Sequence, residues 1–287
     1  MDYLYHYTSV ESLALILKNK SFRLSPLSIL DDLQEERVRD QQKFGEYVFV
    51  SSWTEDTEES IPMWNMYSNM VSGIRIKMKK NPFKTYNVDT TLLTQEFHNA
   101  KLSKNIYNGY DMIFPAKDPI GYTTKFSIKN LIIPTNDFFT EKYYLHNCTP
   151  ESILVKVNYT KNAEALTPQI SNDSSIILSK LGIHKKDCWK FQKEWRYILR
   201  FSPVGFKEII DYPLTTMTNV HNRCSNPTYT LPFKYYYLKL EDEALETMEI
   251  TLSPKLSEGY RIIIQLLKNE YNPRMVIKNS SLSDDIR

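Results

Sequence analysis

Glycine is scarce in this chain, seven in 287 residues, and none falls into a GxGxxG or GxxxxGK[ST] pattern. A glycine-rich phosphate loop needs backbone that approaches the anion without Cβ atoms, so its absence argues against a Rossmann or P-loop nucleotide site. Cysteine is rarer still. Cys148, Cys188 and Cys224 are far apart and odd in number, with no CxxC pair. That excludes a disulfide scaffold and a thiolate zinc site by spacing, and three reduced thiols are the expectation. No apolar run approaches the ~20 residues that cross a bilayer. The first residues, Met1-Asp2-Tyr3-Leu4, lack a basic and then apolar leader. A cytoplasmic protein without a membrane partner is therefore expected. The charge balance is nearly even, +2 overall, too weak to imply nucleic acid by itself.

What is present is a globular composition, 41% hydrophobic and 24% charged, with twenty tyrosines. Residues 4–7 read as a strand, Ser9 as an N-cap, and residues 10–19 as a helix with Leu13, Ile16 and Leu17 on one side. A short strand over 22–25 should stop at Pro26. Residues 30–44 are charged and expected to be helical, with Asp31 and Asp32 suiting the dipole at its start. Tyr47 to Val50 form a buried strand that ends in Ser51 and Ser52. A helix over 61–70 presents Met63, Trp64 and Tyr67, and residues 73–78 alternate as a strand. Residues 153–159, 194–201, 235–240, 248–252 and 274–279 read as further strands, 176–181 and 260–270 as helices. Strands and helices mix without regular alternation, so the class is α+β, one domain over 1–287. Residues 82–150, irregular but rich in aromatics, read as a folded insertion within it.

Two segments carry polar groups that a strand core does not need: Tyr5-His6-Tyr7-Thr8, and Phe191 to Arg196. Strand ends that lead into helices gather ligand-facing groups, and His6 is placed to donate a hydrogen bond to a ribose hydroxyl. Its bland alternative is a half-buried structural histidine. A period of two sets Gln192, Glu194 and Arg196 on one face. Either Glu194 and Arg196 form a surface ion pair, or Glu194 stabilises a sugar cation. Trp64 and Tyr67 either pack or edge a ligand. The cluster Asp31, Asp32, Glu35 and Glu36 reads as a solvated helix face, and no metal site is expected. Lys77, Lys79, Lys80, Lys125, Lys129, Lys185, Lys186 and Lys190 could form a basic face with Tyr235, Tyr236 and Tyr237, or be ordinary solvated lysines.

Motifs in order resemble a widespread bacterial family of uncharacterised function: Leu-Tyr-His-Tyr-Thr-Ser, Asp32-x-x-Glu35, Met63-Trp64-x-x-Tyr67, Lys185-x-x-x-Trp189, Glu194-Trp195-Arg196, Ser253-Pro254-Lys255 and Ser280-Ser281-Leu282. The chain departs from that pattern at Asp31-Asp32-Leu33, at Gln192-x-Glu194 and at Ser253. More distantly the family is similar to ADP-ribosyltransferases. That resemblance implies a split, mixed and antiparallel-rich sheet with NAD as substrate in a central cleft. It implies His6 and Thr8, with Tyr7 between them, at the first position. Tyr47, or Ser51 and Ser52, take the second, Tyr67 an aromatic beside the nicotinamide, and Glu194 the third. His6 and Glu194 would be catalytic, with Gln192 orienting the acceptor and Arg196 in the cofactor site. The acceptor would be an unknown protein or nucleic acid, and the role that of a toxin or a defence effector. An inactive nucleotide- or nucleic-acid-binding module and a protein-interaction domain are the alternatives. The transferase reading requires His6 and Glu194 to line one cleft; side chains on opposite faces of the sheet would rule it out.

Overall fold

The computed structural model describes residues 2–40, 43–91, 100–105, 109–115, 117, 123–172, 175–226 and 228–285. A ten-stranded mixed sheet forms its centre. The strands of the chain are β1 (Tyr3–Ser9), β2 (Ser21–Pro26), β3 (Val48–Thr54), β4 (Gly73–Lys79), β5 (Lys101–Lys104), β6 (Tyr110–Pro115), β7 (Thr123–Ile128), β8 (Tyr144–Leu145), β9 (Leu154–Lys156), β10 (Asn158–Thr160), β11 (Ser171–Asn172), β12 (Ser175–Ile176), β13 (His184–Lys186), β14 (Glu194–Ser202), β15 (Tyr236–Lys239), β16 (Glu249–Leu252) and β17 (Val276–Lys278). The main path runs β15-β2-β3-β1-β4-β16-β17, and β14 pairs with β3, β8 and β9. Most pairs are antiparallel, while β16 and β17 run parallel. The α+β class is as expected.

One irregularity of this sheet places the site. β14 pairs with β3 along its length, from Glu194 opposite Thr54 to Arg200 opposite Val48. On its other edge β3 meets β2 only at Val50 and Phe49, and β1 only at Thr54. Between those contacts Ser51, Ser52 and Trp53 face an opening between β1 and β2. The two are joined by helix α1 (Val10–Asn19), which begins at Ser9, whose Oγ accepts the Ser12 N–H at 3.2 Å.

The face of β14 that carries Tyr197, Leu199 and Phe201 belongs to the main core, with Trp53 and Phe49. Its other face carries Ile198 into a second core with Tyr47, Val48, Val50, Leu178 and Leu181. Helix α2 (Ile61–Tyr67) seats Met63 and Trp64 against Tyr7 in a third, small cluster. Burying an apolar side chain such as that of Met63 contributes roughly 1.5–3 kcal/mol.

Several expected elements differ. Residues 30–40 form turns rather than a helix, and residues 41 and 42 of that expected helix lie outside the described set. Charged residues there have tertiary partners that a solvent-facing helix would not give them. Residues 176–181 supply the end of β12 and a 3-10 turn (Leu178–Lys180). The strand expected over 153–159 is broken at Val157, whose N–H turns to the Glu194 carbonyl. Pro26 is the last residue of β2 instead of the first beyond it. Part of residues 82–150 also lies outside the described set. The described part holds the β5-β6-β7 sheet, and it shares the main core through Met112, Phe114, Leu131 and Phe138. Among the described residues no helix is long and apolar enough to cross a membrane.

Candidate functional site

Two adjoining cavities open where β1 and β2 part. The first, about 110 Å³, is lined by Tyr5, His6 and Tyr7 of β1, Ser52 and Trp53 of β3, and Met63 and Tyr67 of α2. Asp31, Asp32 and Glu35 complete it from the turn after β2, and Lys185, Trp189, Gln192, Glu194 and Arg196 from the segment entering β14. The second, about 700 Å³, is lined by Thr8, Ser12, Asn19, Ser21, Arg23, Ser25, Ser51, Tyr237 and Lys239 among others. His6, Leu30, Asp31, Ser52 and Tyr67 border both. A combined space of this size falls within the range of small-molecule sites, about 300–1,000 Å³.

The entry to β14 explains how the polar groups converge. Residues Asp187–Gln192 make a 3-10 turn, and Lys193 then adopts a left-handed conformation, φ 43°. Gln192 therefore precedes the strand, and its approach to Glu194 comes from this turn, not from a period of two. Glu194 and Arg196 do share a face, beside Thr54 and Ser52.

Their ion pair forms, but in the interior. Arg196 is fully buried, and its Nε donates to Glu194 Oε1 at 2.6 Å. Its Nη2 donates to Glu35 Oε1 at 2.9 Å, and Nη1 to Glu35 Oε2 and to the Gly182 carbonyl at 3.1 Å. Lys185 donates to Glu194 Oε2 at 3.0 Å and Gln192 Oε1 at 2.9 Å, and lies 3.2 Å from Glu35 Oε1. All five residues are buried. Two carboxylates and two cations thus neutralise each other away from water, the condition under which buried charge is tolerated. Burial works to raise the Glu194 pKa; the Arg196 and Lys185 charges, with hydrogen bonds from Arg196 and Ser52, outweigh it and hold Glu194 ionised well below the usual range.

His6 is held differently. Its Nδ1 lies 2.7 Å from the Ser52 carbonyl, a group that β3 leaves without a strand partner at the opening. A carbonyl only accepts, so Nδ1 carries the proton. Burial lowers the His6 pKa, the Ser52 bond opposes this, and the Arg23 charge adds to the lowering. The ring is therefore neutral at pH 7 and Nε2 is an acceptor. The donation expected of His6 is not available to a ligand, because its proton is held by the Ser52 carbonyl.

His6 and Glu194 stand in the wall of the same cavity. They reach it from opposite sides of the pleat. Tyr5 and Glu194 both pair with Thr54, so His6 falls on the Trp53 side, where its ring lies 5.0 Å from that indole. The requirement of a shared cleft is met, and that of a shared sheet face fails; the face criterion is corrected, because β1 pairs with β3 only at Thr54 and beyond it the pleat no longer decides which cavity a side chain reaches.

The other expected site residues divide. Tyr7, Ser52, Tyr67 and Gln192 line the smaller cavity, and Thr8, Ser51, Ser52 and Tyr67 the larger. Tyr47 is excluded: it sits in the second core, donates to the Tyr229 carbonyl at 3.4 Å and borders neither cavity. Arg196 stands in the wall, but its guanidinium is occupied by Glu194, Glu35 and Gly182, so it is an internal counter-ion. The Gln192 amide is engaged by Lys185 and Tyr67 and is not free to orient an acceptor. The expectation of a solvated acidic face fails at Glu35, and that of a surface lysine at Lys185. Glu35 is a structural partner of Arg196 and Lys185 one of Glu194, which composition does not reveal; their only sequence signal is membership of the spaced motifs Asp32-x-x-Glu35 and Lys185-x-x-x-Trp189. Of the remaining lysines, Lys77 pairs with Glu249, Lys79 with Glu243 and Lys125 with Asp111, which favours the alternative of ordinary surface lysines over a basic face.

Family models, curated proteins and solved structures were all compared with the chain, and none matches.

Proposed function

We propose that the chain is an NAD-consuming ADP-ribosyltransferase whose cleft is the opening between β1 and β2. The observation that carries this reading is the polarity of the cleft. The smaller chamber presents four carboxylates, Asp31, Asp32, Glu35 and Glu194, against Lys185 and Arg196. The larger presents Arg23 and Lys239 against Asp31, with serine and threonine hydroxyls around them. Oxidised NAD has the matching dipole, a pyridinium ring at one end and a pyrophosphate further along. An ionised Glu194 in an enclosed chamber suits the positive charge that grows on the ribose as the glycosidic bond breaks, because fixed charge acts strongly where water is excluded. In this reading His6 Nε2 accepts from a sugar hydroxyl at the junction of the chambers. The transferase type of split sheet belongs to the same proposal, supported by the single contact between β1 and β3. So do the family likeness, the unknown protein or nucleic-acid acceptor and a toxin or defence role, which rest on the motifs alone.

A binding module without turnover is the second reading. The observation in its favour is that both Glu194 oxygens are already ion-paired. Nicotinamide release from NAD separates the two. Wild type should release it, and Glu194→Gln, checked for folding by circular dichroism, should lose about 100-fold or more, the scale for removing one fixed group that stabilises transition-state charge. Equal release by both proteins removes the transferase reading.

A further inference from the structure

Lys185 lies over the Trp189 ring and bonds neither His6 nor the Tyr67 hydroxyl, yet it determines what the rim can donate. An ammonium group has protons and no acceptor, so the Gln192 oxygen must face it, at 2.9 Å. That fixes the amide without ambiguity. The Gln192 nitrogen is then left facing the Tyr67 hydroxyl, at 2.5 Å, and donates to it. With its oxygen already accepting from the protein, Tyr67 has its own proton free to point elsewhere. Among the described residues no protein acceptor takes that proton. Tyr67 is half-buried and borders both chambers.

We propose that Lys185 is a positioning residue which, through Gln192, holds Tyr67 as a hydrogen-bond donor aimed into the cleft, so that the ligand must present an acceptor oxygen there. Burial and the charges of Glu194, Asp31 and Glu35 raise the Tyr67 pKa, so the phenol keeps the proton it donates. Opposite in sense, His6 Nε2 at the same junction is an acceptor. The cleft therefore asks for an acceptor atom at Tyr67 and a donor at His6, which sugars and carboxamides both supply. Only the choice of NAD as ligand rests on the proposed function; the relay itself does not.

The most direct test reverses the relay without changing its volume. In Gln192→Glu a carboxylate replaces the amide, accepts from Lys185 and from Tyr67, and turns the phenol's proton back into the protein. NAD binding, measured calorimetrically, should weaken about fivefold in Gln192→Glu, the equivalent of one neutral hydrogen bond. Tyr67→Phe should weaken it equally, and the two together no further. A Gln192→Glu protein that binds like wild type, or an unaffected Tyr67→Phe, overturns the relay.

A second arm needs no ligand. With 3-fluorotyrosine at position 67, the fluorine resonance should shift in Gln192→Glu and also in the charge-balanced double variant Glu35→Gln/Lys185→Met, although neither changed side chain of the latter bonds Tyr67. An unmoved resonance in both overturns the relay. If wild type binds no NAD, the NAD reading falls, and the fluorine arm alone decides whether the relay exists.

Discussion

The two chambers of the cleft handle charge in opposite ways. In the smaller, Glu35, Lys185, Glu194 and Arg196 are buried and bonded to one another. In the larger, Arg23 and Lys239 are exposed; Arg23 lies 4.6 Å from the Tyr235 ring centre, and Lys239 donates to the Asn19 carbonyl at 3.0 Å. The first arrangement is fixed before any ligand arrives, which suits chemistry that needs a set geometry. The second can swing toward an anion, which suits capture. The difference teaches that charge in the smaller chamber is part of the fold, and charge in the larger is not.

The largest effect that would break this comparison is on stability. Arg196→Met leaves Glu35 and Glu194 buried with Lys185 as the one cation between them and should cost about 3–5 kcal/mol. Urea unfolding measures it, as a lower midpoint. Arg23→Met, by contrast, should leave the midpoint within about 0.5 kcal/mol, as exposed sites do. Equal losses in the two variants would erase the distinction.

Acid sharpens it next. The folded state holds the Glu194 carboxyl below its ordinary value of 4.5. Its contribution is therefore present above pH 4.5 and lost as pH falls through the lowered value. The histidines act earlier. His6 is lowered from 6.5 by burial, and His146, outside the cleft, is lowered to about 4 by burial and then Arg200. Neutral in the fold and protonated when unfolded, each stabilises above pH 6.5 and loses its contribution as pH falls below it. Thermal melting should decline in a first phase below pH 6.5 that His6→Asn and His146→Asn each reduce. A second phase below pH 4.5 should shrink in Glu194→Gln. A melting temperature flat from pH 7 to 4 would contradict the first phase, and one flat on down to about 2, the value to which Glu194 is lowered, would contradict the second.

How much of this was legible in the sequence follows from the range of the interactions. The Ser9 cap, α1 and the alternation in β4 are local, and the chain states them directly. His6 and Glu194 were legible as anomalies, because a strand core has no use for them. Glu35 and Lys185 were not. The burial of Glu35 depends on meeting Arg196 across 161 positions, and that of Lys185 on meeting the same Glu35, and a charged residue with a distant partner looks in sequence like a solvated one. Tyr47 failed for the same reason in reverse: a hydroxyl beside Ser51 and Ser52 in sequence turned into the opposite core. Gln192 converged on Glu194 by a left-handed turn at Lys193, a conformation that no glycine announced.

The smallest effect concerns the larger chamber. If Arg23 and Lys239 capture the anionic end of a ligand, their loss should weaken binding and leave the chemistry intact. Among the described residues neither has an acidic partner, so neither charge is neutralised by the fold. Exposed charges act through a screened field, since the Debye length is about 8 Å at physiological salt. Arg23→Gln and Lys239→Gln should therefore each weaken NAD binding only about three- to fivefold at low salt, a charge–anion contact of about 1 kcal/mol in open solvent. The loss should shrink as salt rises, and the rate of nicotinamide release at saturating NAD should stay that of wild type. Raising the NAD concentration should then restore full turnover in both variants. A fall in the saturated rate would mean that these two side chains also position the reacting end, and the division of the cleft into a fixed chamber and a capturing one would fail.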